Sequence, residues 1–121
     1  MKYHTVSYFA IASLISACST PGDVRSTTPT LEADSSKPSK AVAGCIADKF
    51  ELAYRTGVNS RPTSNGYSVW KEDDAGILGK ITGIVIDVND TAVGSKIKLF
   101  MKGALSSAAD TAVRIVKECI A

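Results

Sequence analysis

Two cysteines, Cys45 and Cys119, lie near the two ends of residues 41–121 of this chain. A bridge between them would close a loop of about 75 residues. The chain-entropy model predicts that such a bridge stabilises the folded state by somewhat over 4 kcal/mol. Such a staple suits a segment that is small for a hydrophobic core of its own. A reactive thiol is the alternative, but the only histidine that could activate one is His4. We therefore expect a disulfide.

Both cysteines fall on predicted helices. Residues 40–56 and 104–120 carry apolar side chains at spacings of three and four residues, which is typical of amphipathic helices. Ser39 is the expected N-cap of the first helix and Gly57 its expected stop. The apolar faces are Val42, Cys45, Ile46, Phe50 and Ala53 in the first helix and Leu105, Ala109, Ala112, Val116 and Cys119 in the second. Each cysteine thus shares the core face of its helix.

Between the helices the apolar period changes to two, which predicts strands over residues 66–71, 81–88 and 96–101. The inward side chains would be Ile84, Ile86 and Val88 in the second strand and Ile97, Leu99 and Met101 in the third. The predicted fold class is α+β. Two disulfide-linked helices cover one face of a three-stranded antiparallel sheet, in the order helix, three strands, helix.

The other face of such a two-layer domain would be uncovered. It would carry Val85, Lys96, Lys98 and Phe100, with Trp70 on the neighbouring strand. The favoured interpretation is an ordinary solvated face whose lysines guard an edge strand. Aromatic side chains among lysines are also typical of a surface for a protein partner or for a second copy of this chain, which is the alternative.

Residues 1–17 have the pattern of a signal peptide. Lys2 precedes a mostly apolar stretch (TVSYFAIASLISA) that is too short to span a bilayer as a stable helix. The stretch ends in the motif Ile15-Ser16-Ala17-Cys18. This motif resembles the lipobox of bacterial lipoproteins, in which an aliphatic residue and small residues precede the cysteine. An ordinary secretory signal cut near Ala17 and an uncleaved helix are the alternatives.

The resemblance implies that Cys18 becomes the first residue of the mature chain. It would carry a thioether-linked diacylglycerol and a further acyl chain such as palmitate, enough to hold the protein firmly in membrane lipid. Ser19, where an aspartate would favour the inner membrane of enteric bacteria, implies an outer-membrane location with the domain in the periplasm or at the cell surface. That oxidising compartment also permits the bridge between Cys45 and Cys119.

Residues 18–40 are dense in serine, threonine, proline and charge, and they show no helical or strand period. We predict a lipidated cysteine followed by a flexible tether with a reach of about 25 Å. The folded domain would then comprise residues 41–121.

The mature chain offers little for catalysis. Removal of residues 1–17 removes His4, so histidine-based triads and histidine-ligated zinc are excluded, and there is no C-x-x-C pair. The glycines in residues 76–83 do not match a phosphate-binding loop. Glu72-Asp73-Asp74 is expected to be a solvated loop, and Asp87 with Asp90 is a weak candidate for a glycosidase pair. We expect no enzyme, metal or cofactor.

Three function classes follow. A net charge of +2 is too small to predict a nucleic-acid partner. The first class is a small accessory lipoprotein that docks on an envelope protein whose identity the sequence does not give. The second is an inhibitor or exclusion protein, acting for instance against a lysozyme or a phage component, with residues 59–65 and 89–94 as protruding loops. An enzyme is the third.

Overall fold

A computed structural model describes residues 20–103 and 106–121. The helices are α1 (Pro21–Arg25), α2 (Ser39–Tyr54) and α3 (Ser106–Ile120), and a short 3₁₀ turn covers Gly76–Leu78. The strands are β1 (Leu31–Ser35), β2 (Val58–Thr63), β3 (Gly66–Asp74), β4 (Lys80–Thr91) and β5 (Gly94–Met101). They form one antiparallel sheet in the order β1-β5-β4-β3-β2. The α+β class is confirmed, but the sheet has five strands rather than three.

Helix α2 is close to its prediction. Its buried face consists of Val42, Ala43, Ile46 and Phe50, with Ser39 buried at its start. Ser39 is the first helical residue and not the cap; Pro38 takes the cap position and makes no side-chain cap hydrogen bond. The helix ends at Tyr54 because Arg55 turns to a φ of 67°.

Helix α3 packs beside α2 on the same face of the sheet. Ala112, Ile115, Val116 and Cys119 are almost completely buried. The predicted disulfide is confirmed: Cys45 and Cys119 are bonded, with their Cα atoms 5.7 Å apart. The bridge joins the second turn of α2 to the last turn of α3.

The three predicted strands are β3, β4 and β5, each longer than expected. Their inward side chains form the core with the two helices, because alternate residues of a strand face the same side. These inward residues are Val69, Ile84, Ile86, Val88, Ile97 and Leu99, with Met101 partly buried. The predicted inward set is therefore confirmed.

Strand β2 was not predicted. It pairs with β3 through a tight turn at residues 64–65 and forms one edge of the sheet. Pro62 lies within it, and a proline is tolerated at an edge because its missing N–H removes no interior ladder hydrogen bond. Residues 59–65 are thus mostly strand, and the expected loop is wrong.

Strand β1 forms the other edge and pairs with β5 over its whole length. It lies in the segment of residues 18–40, so the prediction that this whole segment is a flexible tether is wrong. Leu31 and Ala33 face α2 and α3, whereas Glu32 and Asp34 stand opposite Lys98 and Lys96. Ladder pairing with β5 and the partial burial of Leu31 and Ala33 hold this strand, and the opposite charges across the pair favour its register.

Helix α1 also replaces part of the predicted tether, and it covers the face of the sheet predicted to be bare. Thr20 and Asp23 form a capping box with Pro21 in the first turn. Val24 is fully buried against Val85 and Phe100, with Trp70 packed alongside. The sheet therefore lies between one short helix and a pair of long ones.

The two ends of the sheet differ. At the hairpin end lie the turns of residues 64–65 and 92–93, joined by a hydrogen bond of 2.7 Å from the Asp90 N–H to the Asn65 carbonyl. At the other end, which we call the 3₁₀ end, lie residues 75–80 and 102–103. There the Lys102 N–H donates to the Gly83 carbonyl at 2.9 Å.

Candidate binding surface

The predicted partner surface is only partly exposed. Val85 is fully buried and Phe100 is 8% exposed, because Val24 covers both. Trp70 is half-buried. The prediction of an uncovered apolar patch at these residues is therefore wrong. The patch is covered by α1, a helix in the segment that was predicted to be a flexible tether.

The two lysines of the predicted surface lie towards the β1 edge. The Lys98 ammonium is 3.8 Å from Glu32, and Lys96 is exposed opposite Asp34. Exposed ion pairs of this kind contribute little stability, but charges near an edge discourage pairing with another sheet. These lysines fit the alternative of a solvated, guarded edge.

Arg25 fastens α1 to the middle of the sheet. Its guanidinium makes a two-point ion pair with Asp87, at 2.8 Å from Nε and 2.9 Å from Nη2, and Nη2 also donates to the Ser68 hydroxyl at 2.7 Å. The hydrogen bond to Asp87 raises the pKa of Arg25, although partial burial opposes this. Arg25 and Asp87 together therefore hold a neutral, firmly oriented pair on this face.

A polar concavity opens beside that pair, towards the hairpin end. Its volume is about 290 Å³. Its walls come from α1, from β2 with the turn that follows it, and from β4. The residues that line this polar concavity are Arg25, Arg61, Thr63, Asn65, Asp87 and Asn89.

Arg61 is the exposed arginine of this set. Its guanidinium carbon lies 5.6 Å from the centre of the Trp70 ring, a cation–π arrangement. Trp70 in turn donates from Nε1 to the Glu72 carboxylate at 2.8 Å. With Arg25 neutralised by Asp87, Arg61 leaves the concavity with one positive charge among amide and hydroxyl groups. Such a set can hydrogen-bond a polar or acidic group of a partner.

The remaining candidates from the sequence have structural partners. Glu72-Asp73-Asp74 closes β3 rather than forming a loop: Asp73 pairs with Lys71 at 2.7 Å and Asp74 accepts from the Gly76 N–H at 2.9 Å. Asp87 and Asp90 fall on opposite faces of β4, since they are an odd number of residues apart. Among the described residues, no group of three acidic, cysteine or histidine side chains could hold a metal ion.

Lys71 was missed by the sequence analysis. Its residue is only 8% exposed, yet its ammonium donates to Asp73 and to the Glu72 carbonyl at 3.0 Å and lies 5.8 Å from the Tyr54 ring centre. Burial raises the pKa of Tyr54, whose hydroxyl donates to the Ala108 carbonyl at 3.0 Å. These contacts satisfy the lysine internally, so it is a structural cation.

A signal for α1 was present in the sequence. Thr20-Pro21-Gly22-Asp23 has the spacing of a capping box with proline at the first helical position. By contrast, the polar concavity depends on the register between β2 and β3, which pairs Arg61 with Ser68, and no local pattern reveals that register.

No family model matches the chain, and comparison with curated proteins and with solved structures finds no match. The residues that the structure describes include no helix long and apolar enough to cross a membrane. Cys18 and the rest of the predicted signal peptide lie outside the described residues.

Proposed function

We propose that this chain is a lipid-anchored protein of the bacterial cell envelope and that its domain is a non-catalytic binding module. The observation that carries the proposal is the Cys45–Cys119 bridge. Disulfides of this kind persist in oxidising compartments outside the cytoplasm. The bridge uses two of the three cysteines and leaves Cys18, which ends the lipobox-like motif, for acylation.

The anchor is tested by Cys18→Ala. We expect this variant to lose incorporation of a fatty-acid probe and to leave the membrane fraction, because its only acylation site is gone. Ser19→Ala is the matched control, since it changes the neighbouring residue and keeps the thiol. Normal labelling of Cys18→Ala in intact cells would contradict the anchor.

We propose that the module docks a protein partner at the polar concavity. Support comes from its chemistry: an exposed arginine on a tryptophan ring, amide and hydroxyl groups, and a fixed ion pair lie together on one side of α1. Arginine and tryptophan are enriched at the energetic centres of interfaces. The partner would be another envelope protein.

The docking proposal is tested with a photo-crosslinking amino acid in intact cells. Placed at Thr63, in the polar concavity, it should capture a single envelope protein. The control position is Leu52, which is 81% exposed on the helical side of the domain. Capture from Leu52 alone would contradict the assigned surface, and capture from neither position would contradict docking.

An inhibitor or exclusion protein is the second candidate. It is favoured by the two hairpin turns standing side by side at one end, with Val93 at 84% exposure on the tip of one of them. Inhibitors insert such projections into clefts. The Thr63 crosslink would then appear only after challenge with a lysozyme or a phage, whereas a constitutive crosslink would exclude this class.

A further inference from the structure

The first described residue, Thr20, lies towards the 3₁₀ end of the sheet. Within α1, Val24 packs on Val85 in the middle of β4, whereas Arg25 reaches Asp87, which lies nearer the hairpin end of that strand. Helix α1 therefore runs towards the hairpin end and begins, at Thr20, on the side of the 3₁₀ end.

Only one residue separates Cys18 from Thr20. Two steps along an extended chain reach at most ~7 Å, far less than the 25 Å or so of the flexible tether expected from composition. If Thr20 moved away alone, the capping box would break, and if it moved with α1, Val24 would leave Val85 and Phe100 uncovered. A lipid attached to Cys18 therefore holds the domain directly against the membrane.

The 3₁₀ end carries an apolar side chain that suits this contact. Ile77, in the 3₁₀ turn between β3 and β4, is fully exposed at 104%. An aliphatic side chain at the tip of a turn loses water contact when it enters the headgroup region. The charged side chains of this end balance and so do not repel lipid: Lys71 pairs with Asp73 and Lys80 with Glu72, and Asp74 and Lys102 add one charge of each sign.

We propose that the 3₁₀ end of the sheet rests on the membrane surface with Ile77 in the lipid headgroup region. This inference rests on the proposed lipidation of Cys18. The lipid surface is the single occupant that the short link allows at this end. The 12 residues of β4 span about 40 Å, so the hairpin end and the polar concavity near it point away from the bilayer.

The test uses the full-length, lipidated protein in vesicles of phosphatidylcholine with a minor fraction of phosphatidylglycerol. Ile77→Cys and Val93→Cys are each labelled with an environment-sensitive fluorophore, and the vesicles contain a nitroxide-bearing lipid as quencher. We expect several-fold stronger quenching and a blue-shifted emission at position 77. Equal quenching at both positions, or stronger quenching at position 93, would overturn the orientation.

A second variant shows whether the short link sets the orientation. A 20-residue glycine-serine linker inserted between Ser19 and Thr20 has a reach of about 25 Å and should reduce quenching at position 77. Unchanged quenching would show that the link plays no part and would overturn the argument. Flotation with the vesicles separates the two proposals: a wild-type protein that does not float refutes the anchor, whereas one that floats without quenching at position 77 refutes only the orientation.

Discussion

Arg25 is the residue through which α1 is held to the sheet. Replacing it in Arg25→Ala removes two hydrogen bonds to Asp87 and one to Ser68, and leaves the half-buried carboxylate without its cation. We expect the free energy of unfolding to fall by about 2 kcal/mol. Urea denaturation followed by the fluorescence of Trp70, the only tryptophan, measures this.

Arg114→Ala is the matched control for that change. Arg114 makes an exposed ion pair with Glu118 one helical turn away in α3, with 60% and 40% of the two side chains exposed. Such a solvent-screened pair contributes little to stability, so Arg114→Ala should leave the free energy of unfolding nearly unchanged. If both arginine variants lost the same stability, the Arg25 contacts would not be anchoring α1.

Gly57 occupies a position that other residues fit poorly. Its φ is 77°, and a Cβ atom there would clash with the backbone carbonyl of Glu72. The two residues are held close because the Glu72 N–H donates a hydrogen bond to the Gly57 carbonyl. We expect Gly57→Ala to lower the free energy of unfolding by about 1–3 kcal/mol. Thermal unfolding measured by circular dichroism tests it.

Gly44→Ala provides the opposite control. A Cβ at Gly44, in the middle of α2, would meet nothing within 4 Å. Alanine is the better helix former by about 1 kcal/mol, so this variant should be slightly more stable than wild type. A loss of stability at position 44 as large as that at position 57 would contradict the strain argument.

At the scale of elements, α1 and β1 belong to the folded unit. A chain of residues 41–121, the domain expected from composition, would expose Val85 and Phe100 and leave β5 as an open edge. We expect it to lack a cooperative unfolding transition by circular dichroism and to aggregate. The comparison is the chain of residues 20–121, which should unfold cooperatively. Equal stability of the two chains would show that α1 and β1 are dispensable.

The elements that the sequence predicted are those with long periodic patterns. Helices α2 and α3 and strands β4 and β5 each repeat apolar residues often enough for the period to be read locally, and β3 follows the turn signal Asn65-Gly66. Strand β1 was missed because it is short and pairs with β5, which is distant in the sequence. Strand β2 was missed because its residues are mostly exposed and include Pro62. The disulfide was predictable because both cysteines share the apolar faces of their helices.

The candidate surface was predicted less well than the fold. Trp70 was identified correctly as a residue of the outer face, but Val85 and Phe100 are covered by a helix of only five residues. A single short element can thus change a predicted contact surface into core. The polar concavity could not be foreseen, because it combines α1 with β2 and β4, two strands that are not neighbours in the sheet and come into register only in the folded chain.

At the scale of the whole molecule, the disulfide joins helices that pack side by side at the back of the sheet. Its reduction should lower the free energy of unfolding by up to about 4 kcal/mol, because the unfolded chain regains the freedom of a long loop. Thermal unfolding with and without a reducing agent measures the effect. In the double variant with Cys45→Ala and Cys119→Ala, reducing agent should cause no further change. A melting temperature of the wild-type protein that is insensitive to reduction would contradict this role.

The position of the bridge also sets how the molecule responds to mechanical force. If the domain is pulled between Thr20 and its C terminus, α1 and β1 carry the load first, and extension stops when the covalent link at Cys45 is reached. The released length is then about 90 Å, compared with about 350 Å for the reduced chain. Single-molecule pulling in oxidising and reducing buffer would distinguish the two lengths. Force applied at these two ends would therefore lengthen the oxidised chain by a fixed amount and keep residues 45–119 closed.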